Sequence, residues 1–423
     1  MTEGRKRVAV VGGGVAGIVA AWLLDRAYDV VLFERNDYLG GHTHTVVVEE
    51  GPDRGTAVDT GFIVFNDRTY PLFGKFLKAL GVEARNSNMS FSCQNREAGV
   101  LYAGTSLNGL FALRSNLIRP GFHRMLRDIR RFGLAALGDL ERVDREGLTL
   151  GQYVAEGGYS DAFRDHYLVP MGAAIWSTPA GEILGYPAGN FIRFFDNHGL
   201  LRLRDSLVWK TVRGGSHAYV KAFREVFGGQ IRLEAGVSSV RREADRVVLE
   251  TRKGGLESFD QVVIAAHGDQ ALGMLADPTA DEKRLLGPWR YSRNRTVLHT
   301  DEAVLPPLRR AWASWNYEVE PGSSPGDPVC LTYHMNRLQG LKTREEYSVT
   351  LNRRGTMARE KIIRDLVYEH PVYTRESVAT QGELPRLGGV CRTWYCGSYF
   401  RNGFHEDAVA SAVAVAKGLG VTF

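Results

Sequence analysis

At 423 residues, 44% hydrophobic and 24% charged, the chain is long enough to bury two or three cores and has an ordinary globular make-up, not a fibrous or disordered one. A net charge of +5 is too slight to announce a nucleic-acid binder, no apolar run reaches the roughly 18–20 residues of a membrane span, and the four cysteines lack the C-x-x-C spacing of a zinc site. The first strand begins within about seven residues of Met1, so no signal peptide and a reducing, cytoplasmic setting are expected.

Residues 8–11 are a short β-branched run of the kind that forms a buried parallel strand. Gly12, Gly14 and Gly17 follow as G-x-G-x-x-G, with Ala16 among them, at the turn into a helix that runs to about Arg26. A second β-branched run, 30–33, ends at Glu34. Each part of this unit has a chemical task. Gly12 allows a tight turn, Gly14 lets the backbone approach a pyrophosphate, and Gly17 lets helix and strand pack closely. The helix N-terminus presents unpaired N–H groups to phosphate, and Glu34 is placed to accept hydrogen bonds from a ribose diol. The chain opens on a dinucleotide site.

Downstream, Arg35 leads into a polar loop with Gly40-Gly41-His42, and residues 58–62 form a strand carrying Asp59-Thr60-Gly61. The spacing of Tyr70, Phe73, Phe76, Leu77 and Leu80 predicts a helix over 70–80 capped by Gly81. Residues 89–93 and 100–103 read as strands of a small sheet. The segment 114–131 carries six arginines (114, 119, 124, 127, 130, 131) against one acid, Asp128, with apolar residues at helical spacing after Pro120-Gly121. Two readings stand: a membrane-surface element near Arg124–Arg131, or a helix packed on the protein with a solvated cationic side. Residues 147–177 suggest packed helices near a cavity, and 191–203 mix aromatics with His198, either as tunnel wall or as core. Ser216 reads as a helix N-cap. Residues 231–233 and 247–251 are strands with Gly236-Val237 between them, and 260–267 is a buried strand ending in Ala265-Ala266-His267. Residues 278–369 form a second excursion rich in aromatics. Residues 390–397 return as a strand ending in Gly397-Ser398, and 403–407 lead into a helix over 408–419.

The order G-x-G-x-x-G, terminal Glu34, Gly40-Gly41, then Asp59-Thr60-Gly61 resembles the flavin-containing amine oxidase superfamily, which includes carotenoid desaturases and protoporphyrinogen oxidase. Pro170-Met171, Trp176-Ser177, Asn197-His198-Gly199, Gly214-Gly215-Ser216 and the Gly403-to-Asp407 segment are similar to those of a bacterial subfamily of NAD/FAD-binding proteins. That subfamily is associated with cyclopropane-fatty-acid-synthase-like methyltransferases and includes a methyl-fatty-acid desaturase of furan fatty acid synthesis. The resemblance implies a mixed α/β, α+β fold: a Rossmann-type FAD-binding domain with a central parallel sheet (1–85, 210–277 and 386–423) and an interleaved substrate-binding domain (86–209 and 278–385). It also implies FAD contacts at Arg35, Gly40 and Gly41, with His42 where the family usually has Arg. Thr60 and Gly61 are expected near the flavin ring, Val237 at the adenine, and Ala265 against the dinucleotide. Gly397 and Ser398 are expected at the ribityl phosphate, where Cys396-Gly397-Ser398 replaces the usual Ala-Gly-Glu. Phe404, His405, Glu406 and Asp407 open a helix whose dipole is expected to stabilise reduced flavin.

The function so implied is an FAD-dependent oxidoreductase that desaturates or isomerises a modified or unsaturated fatty acyl group, with hydride transfer to flavin N5. Candidates for the proton acceptor are His405, His198, Tyr395 and Asp59. The alternatives are an amine oxidase producing peroxide, and a non-catalytic flavin- or lipid-binding partner of a fatty-acid methyltransferase. A lipid substrate, a methyltransferase partner and no nucleic acid are expected, at the cytoplasmic face of the inner membrane if the basic helix binds lipid.

Overall fold

The structure is a computed structural model that describes residues 5–201 and 207–423. Its centre is a five-stranded, wholly parallel sheet in the order Gln230–Arg232, Asp29–Phe33, Arg7–Val11, Gln261–Ile264, Thr393–Tyr395. Side chains alternate across it, as the two-residue period of a strand requires. Val8, Val10, Val30, Leu32 and Val263 face one core, in which the Val15–Leu24 and His405–Gly418 helices pack side by side through alanines. Ala9, Val11, Val31, Phe33 and Ile264 face the other core, shared with an antiparallel meander of Val237–Arg242, Val247–Thr251 and Leu256–Phe259.

The second layer is a seven-stranded sheet, antiparallel except where Trp315–Val319 runs parallel to Phe91–Asn95. Its order is Ile362–Val372, Arg290–His299, Ser348–Leu351, Cys330–His334, Trp315–Val319, Phe91–Asn95, Val100–Ala103. Helices between 107 and 197 cover it, among them Pro120–Ala135, Val169–Trp176 and Ala188–Asn197. No helix among the described residues is long and apolar enough to cross a membrane.

Several boundaries differ from the sequence reading for local reasons. The helix expected over 70–80 forms as Pro71–Ala79, started by a proline at its first turn and ended before Gly81, whose φ is +67°. The strand expected over 390–397 shrinks to Thr393–Tyr395, because Gly389, Cys391 and Arg392 all take left-handed φ values. The last helix starts at His405 instead of 408, because Asp407 accepts hydrogen bonds from the Phe404 and Asn402 backbone N–H groups and closes its first turn. In the 191–203 segment the helix is Ala188–Asn197, and residues 202–203 lie outside the described residues. In the basic segment, Phe122, Met125 and Phe132 face inward, and so does Asp128, whose carboxylate accepts the Ser160 N–H and O–H. The arginines therefore have no acid interleaved on the outer side.

Candidate active site

The first strand delivers its chain into Gly12, which sits at φ +110°; a Cβ there would meet the Ala265 carbonyl oxygen at 2.4 Å. The turn is held by the Gly12 N–H on the Phe33 carbonyl at 2.8 Å and by the Gly13 N–H on Glu34 Oε2 at 2.7 Å. Gly17 packs the helix against this turn: a Cβ on it would come 1.8 Å from the Gly12 carbonyl. Gly14 is different. It caps the Val15–Leu24 helix in extended conformation, no side chain covers that N-terminus, and a Cβ added to it would meet nothing within 4 Å. The space it faces is a cavity of about 1410 Å³, larger than the ~300–1,000 Å³ of most small-molecule sites.

The cavity gathers the parts that the sequence scattered. Gly12, Gly14, Ala16, Glu34, Arg35, Gly40, Gly41, His42, Gly61, Val237, Ala265, Gly397, Ser398, Phe404 and His405 all line it. A bridge between Gly14 and Gly40, with the Gly40 N–H on the Gly13 carbonyl at 2.8 Å, brings the second glycine loop over the helix N-terminus. Glu34 Oε1 and Oε2 each accept one backbone N–H, from Asn36 and Gly13, and the residue lines the cavity. Beside that loop, His42 Nε2 is buried and has no hydrogen-bond partner among the described residues. A helix N-terminus with no side-chain cap and a cradle open at Gly14 together fit a dinucleotide diphosphate.

Other candidates are placed elsewhere. Gly17 and Thr60 lie behind the lining; the Thr60 hydroxyl bonds Tyr368 Oη at 2.6 Å. Glu406, expected at the cofactor, instead accepts the N–H groups of Leu72 and Phe73, both at 2.9 Å, and so caps the Pro71–Ala79 helix; Asp407 is engaged at its own helix N-terminus. Asp59 is buried off the cavity. Its Oδ1 accepts from Thr45 and from the N–H and hydroxyl of Ser216, clamping the loop after Gly40-Gly41 to the helix start at His217–Val226. Burial pushes its carboxyl up to about 6 against those hydrogen bonds. Tyr395 points away from the cavity into a buried bond of 2.5 Å to Glu282. Neither Asp59 nor Tyr395 is positioned to meet a substrate.

The two histidines differ in availability. His405 lies flat on Phe62, with ring centroids 3.7 Å apart, and its Nε2 is engaged by Tyr219 Oη at 3.0 Å; burial lowers it to about 3. His198 turns its Nδ1 to the Phe194 carbonyl at 2.9 Å. A carbonyl only accepts, so Nδ1 carries the proton and Nε2 keeps its lone pair. The ring lines the cavity, and burial pushes it down to about 4, so it is neutral at physiological pH. It belongs to an aromatic run: Trp176 to Phe194 at 4.8 Å, Phe194 to His198 at 3.9 Å, His198 to Trp209 at 6.2 Å, and Phe194 to Phe404 at 4.9 Å. With Met171, Ile175 and Leu200 this run makes an apolar arm of the cavity that reaches the start of the last helix.

Sequence reasoning missed one group. His42, His267 and His370 surround one another, with ring centroids 6.5 and 5.2 Å from His42, and Tyr368 lies 5.1 Å from the same ring. Burial holds all three histidines well below their usual range. Tyr368 and His370 share one face of the Ile362–Val372 strand, and that alternation was the available signal.

Comparison with known proteins agrees with this geometry. The family model described as flavin containing amine oxidoreductase matches residues 15–297. Hydroxyneurosporene desaturase of Rubrivivax gelatinosus is 28% identical over 330 residues, covering 68% of this chain and 58% of that protein. Tryptophan 2-monooxygenase of Pseudomonas savastanoi is 26% identical over 315 residues, covering 66% and 55%. The matched region thus spans little more than half the length of these curated relatives. Among solved structures, a CLA-producing fatty acid isomerase from P. acnes superposes with a TM-score of 0.68 at 16% identity, covering 97% of this chain and 98% of that one. At that identity it speaks for the fold alone. The chain belongs to the flavin-containing amine oxidoreductase family, whose cofactor is FAD.

Proposed function

We propose that this protein is an FAD-dependent oxidoreductase that desaturates or isomerises a lipid acyl chain. The observation that carries the reading is the composition of the cavity. Its only carboxylates among the described lining residues are Glu34 and Glu369, one engaged by the glycine turn and the other beside His267 and Arg293. The arm that runs from Phe404 past Phe194, Trp176 and Met171 has none, so it offers an alkyl chain an apolar wall and a cationic amine no counter-ion. The hydroxyneurosporene desaturase among the relatives supports desaturation as the reaction type.

FAD, when bound, accepts a hydride at N5. The chain's own share is to align an acyl carbon, exclude water, and accept a proton. His198 lines the cavity with its Nδ1 fixed as a donor to the Phe194 carbonyl and its Nε2 left to accept. Its basicity is low, so its contribution lies in geometry within a dry site. Anaerobic addition of bacterial phospholipid extract to the purified protein is expected to bleach the flavin absorbance. His198→Ala is expected to slow that bleaching on the order of 100-fold while the flavin stays bound. In the wild type the rate is expected to hold at neutral pH and fall as the pH drops toward the His198 value of about 4. Bleaching by lipid at the wild-type rate in the variant would remove His198 from this role.

A second reading has its own support: Trp176 and Trp209 could hold an alkylammonium over their faces. Bleaching by amines with peroxide release, and none by lipid, would establish an amine oxidase instead.

A further inference from the structure

The outer side of the basic segment is left over from the site. Leu117 and Ile118, just before the Pro120–Ala135 helix, are 51% and 84% exposed, and Leu134, at its far end, is 75% exposed. Sixteen helical residues span roughly 24 Å. Between those apolar ends Arg124, Arg127 and Arg130 are exposed, with no carboxylate at ion-pair distance among the described residues. Arg131 is spent on the protein, paired with Asp128 at 3.5 Å and stacked 4.0 Å above Tyr159. The one acid of the segment is thus turned inward, and the exposed stripe of arginines and aliphatic side chains, with His123 among them, carries no carboxylate.

Its position gives the stripe a meaning. A Cβ on Gly133 of this helix would come 2.3 Å from the Leu201 carbonyl, so the helix rests directly on the chain segment whose Leu200 lines the cavity. Val208 is 60% exposed and also lines the cavity. The helix therefore borders the apolar arm.

We propose that Leu117, Ile118, Leu134 and the arginines 124, 127 and 130 dock the protein on an anionic phospholipid bilayer, with the apolar arm of the cavity beside the membrane. The arginines meet lipid phosphates and the aliphatic side chains enter the acyl boundary, the division of labour of an interfacial helix. A lone exposed aliphatic side chain is ordinary on any surface; what points to a bilayer is the combination of exposed aliphatics at both ends of one acid-free stripe of arginines. The proposal stands on this surface and does not depend on which substrate the cavity takes.

The test is flotation of the flavin-loaded protein with phosphatidylcholine vesicles and with phosphatidylglycerol–phosphatidylcholine vesicles. Binding is expected only to the anionic vesicles and is expected to weaken at high salt. The triple variant Arg124→Gln, Arg127→Gln, Arg130→Gln is expected to bind about 100-fold more weakly, at roughly tenfold or less per arginine. The double variant Ile118→Ser, Leu134→Ser is expected to bind about 10-fold more weakly or worse, with salt sensitivity kept. Retained flavin absorbance in each variant establishes that it is folded. Equal binding to neutral and anionic vesicles, or variants that float as the wild type does, would overturn the proposal. So would a dimer that the Ile118→Ser, Leu134→Ser variant dissociates, because the face would then be covered by a second copy. Lipid-driven flavin bleaching without vesicle binding would sink the docking surface and leave the acyl substrate standing; binding without bleaching would do the reverse.

Discussion

Gly14→Val is expected to yield a folded, colourless protein, whereas Gly17→Val, three residues on, is expected to yield no folded protein at all. Both glycines belong to one motif, and a motif-level account treats them alike. The structure separates them. Gly14 has φ −73° and ψ 178°, an extended conformation open to any residue, and a Cβ there meets no protein atom within 4 Å. Valine therefore costs the fold little and spends its two methyl groups on the space over the helix N-terminus, where a diphosphate must come within hydrogen-bond distance of backbone N–H groups. Flavin affinity is expected to fall on the order of 100-fold or more, equivalent to at least about 2.7 kcal/mol. At Gly17 the first added carbon already stands 1.8 Å from a backbone oxygen of Gly12. Neither the helix nor the strand can yield, since Ile18, Val19 and Ala20 of the helix and Val8, Ala9 and Val10 of the strand are fully buried, and overpacking there displaces the central sheet. Flavin absorbance at 450 nm or so per protein and the thermal midpoint of the apoprotein read the two effects separately. A yellow Gly14→Val protein with wild-type flavin content would mean that the diphosphate does not lie over that N-terminus.

What could be read from the chain divides along the range of the interactions. The glycine turn, Glu34 and the helix behind them are within one βαβ unit, and each reports its neighbours through spacing alone, so the sequence places them at a dinucleotide and the structure puts them around one cavity. His198 was legible as one of four candidate bases, but its tautomer was not, since that depends on the carbonyl it meets in the folded helix. Glu406 and Asp407 sat at a helix start where charge complements a dipole, and the sequence could not tell whether they serve a cofactor or the fold. Glu406 serves the Pro71–Ala79 helix, more than three hundred residues earlier, through two N–H groups at 2.9 Å. No local pattern carries such a pairing. The histidine group fails for the same reason: His42, His267 and His370 come from three distant segments, and only the closure of the two sheets around the cavity brings them together.

Tyr395 is the clearest instance, and it makes the second large prediction. Its hydroxyl donates to Glu282, which also receives two hydrogen bonds from Arg242, at 2.8 and 3.0 Å, and one from the Thr279 N–H at 2.8 Å. The Arg242 and Glu282 side chains are 3% and 1% exposed. Burial by itself would raise the Glu282 carboxyl, but the Arg242 bonds, with those of Tyr395 and Thr279, bring it down to about 2. The pair joins the meander strand Val237–Arg242 to the Ala280–Leu286 helix and to the last central strand. Glu282→Gln keeps the shape and removes the charge, leaving the buried guanidinium with Asp277 as its only ionic partner among the described residues; the expected loss is about 2–3 kcal/mol, below that of a fully uncompensated buried charge. Tyr395→Phe removes one charge-assisted hydrogen bond and is expected to lose about 1.5–3 kcal/mol. The pH dependence has a definite sign. A carboxyl whose folded value lies below its unfolded value contributes stability above the unfolded value near 4.5, and that contribution is lost as pH falls through about 2. Wild type is therefore expected to lose more stability than Glu282→Gln between pH 5 and pH 2, so that the two proteins converge in acid. Flavin reduction in Tyr395→Phe is expected to run at the wild-type rate, because the hydroxyl faces the pair and not the cavity. A variant that is as stable as wild type but slow to be reduced would return Tyr395 to the chemistry. A variant that is less stable and equally fast would leave it as the strut between the cofactor sheet and the helix that braces it.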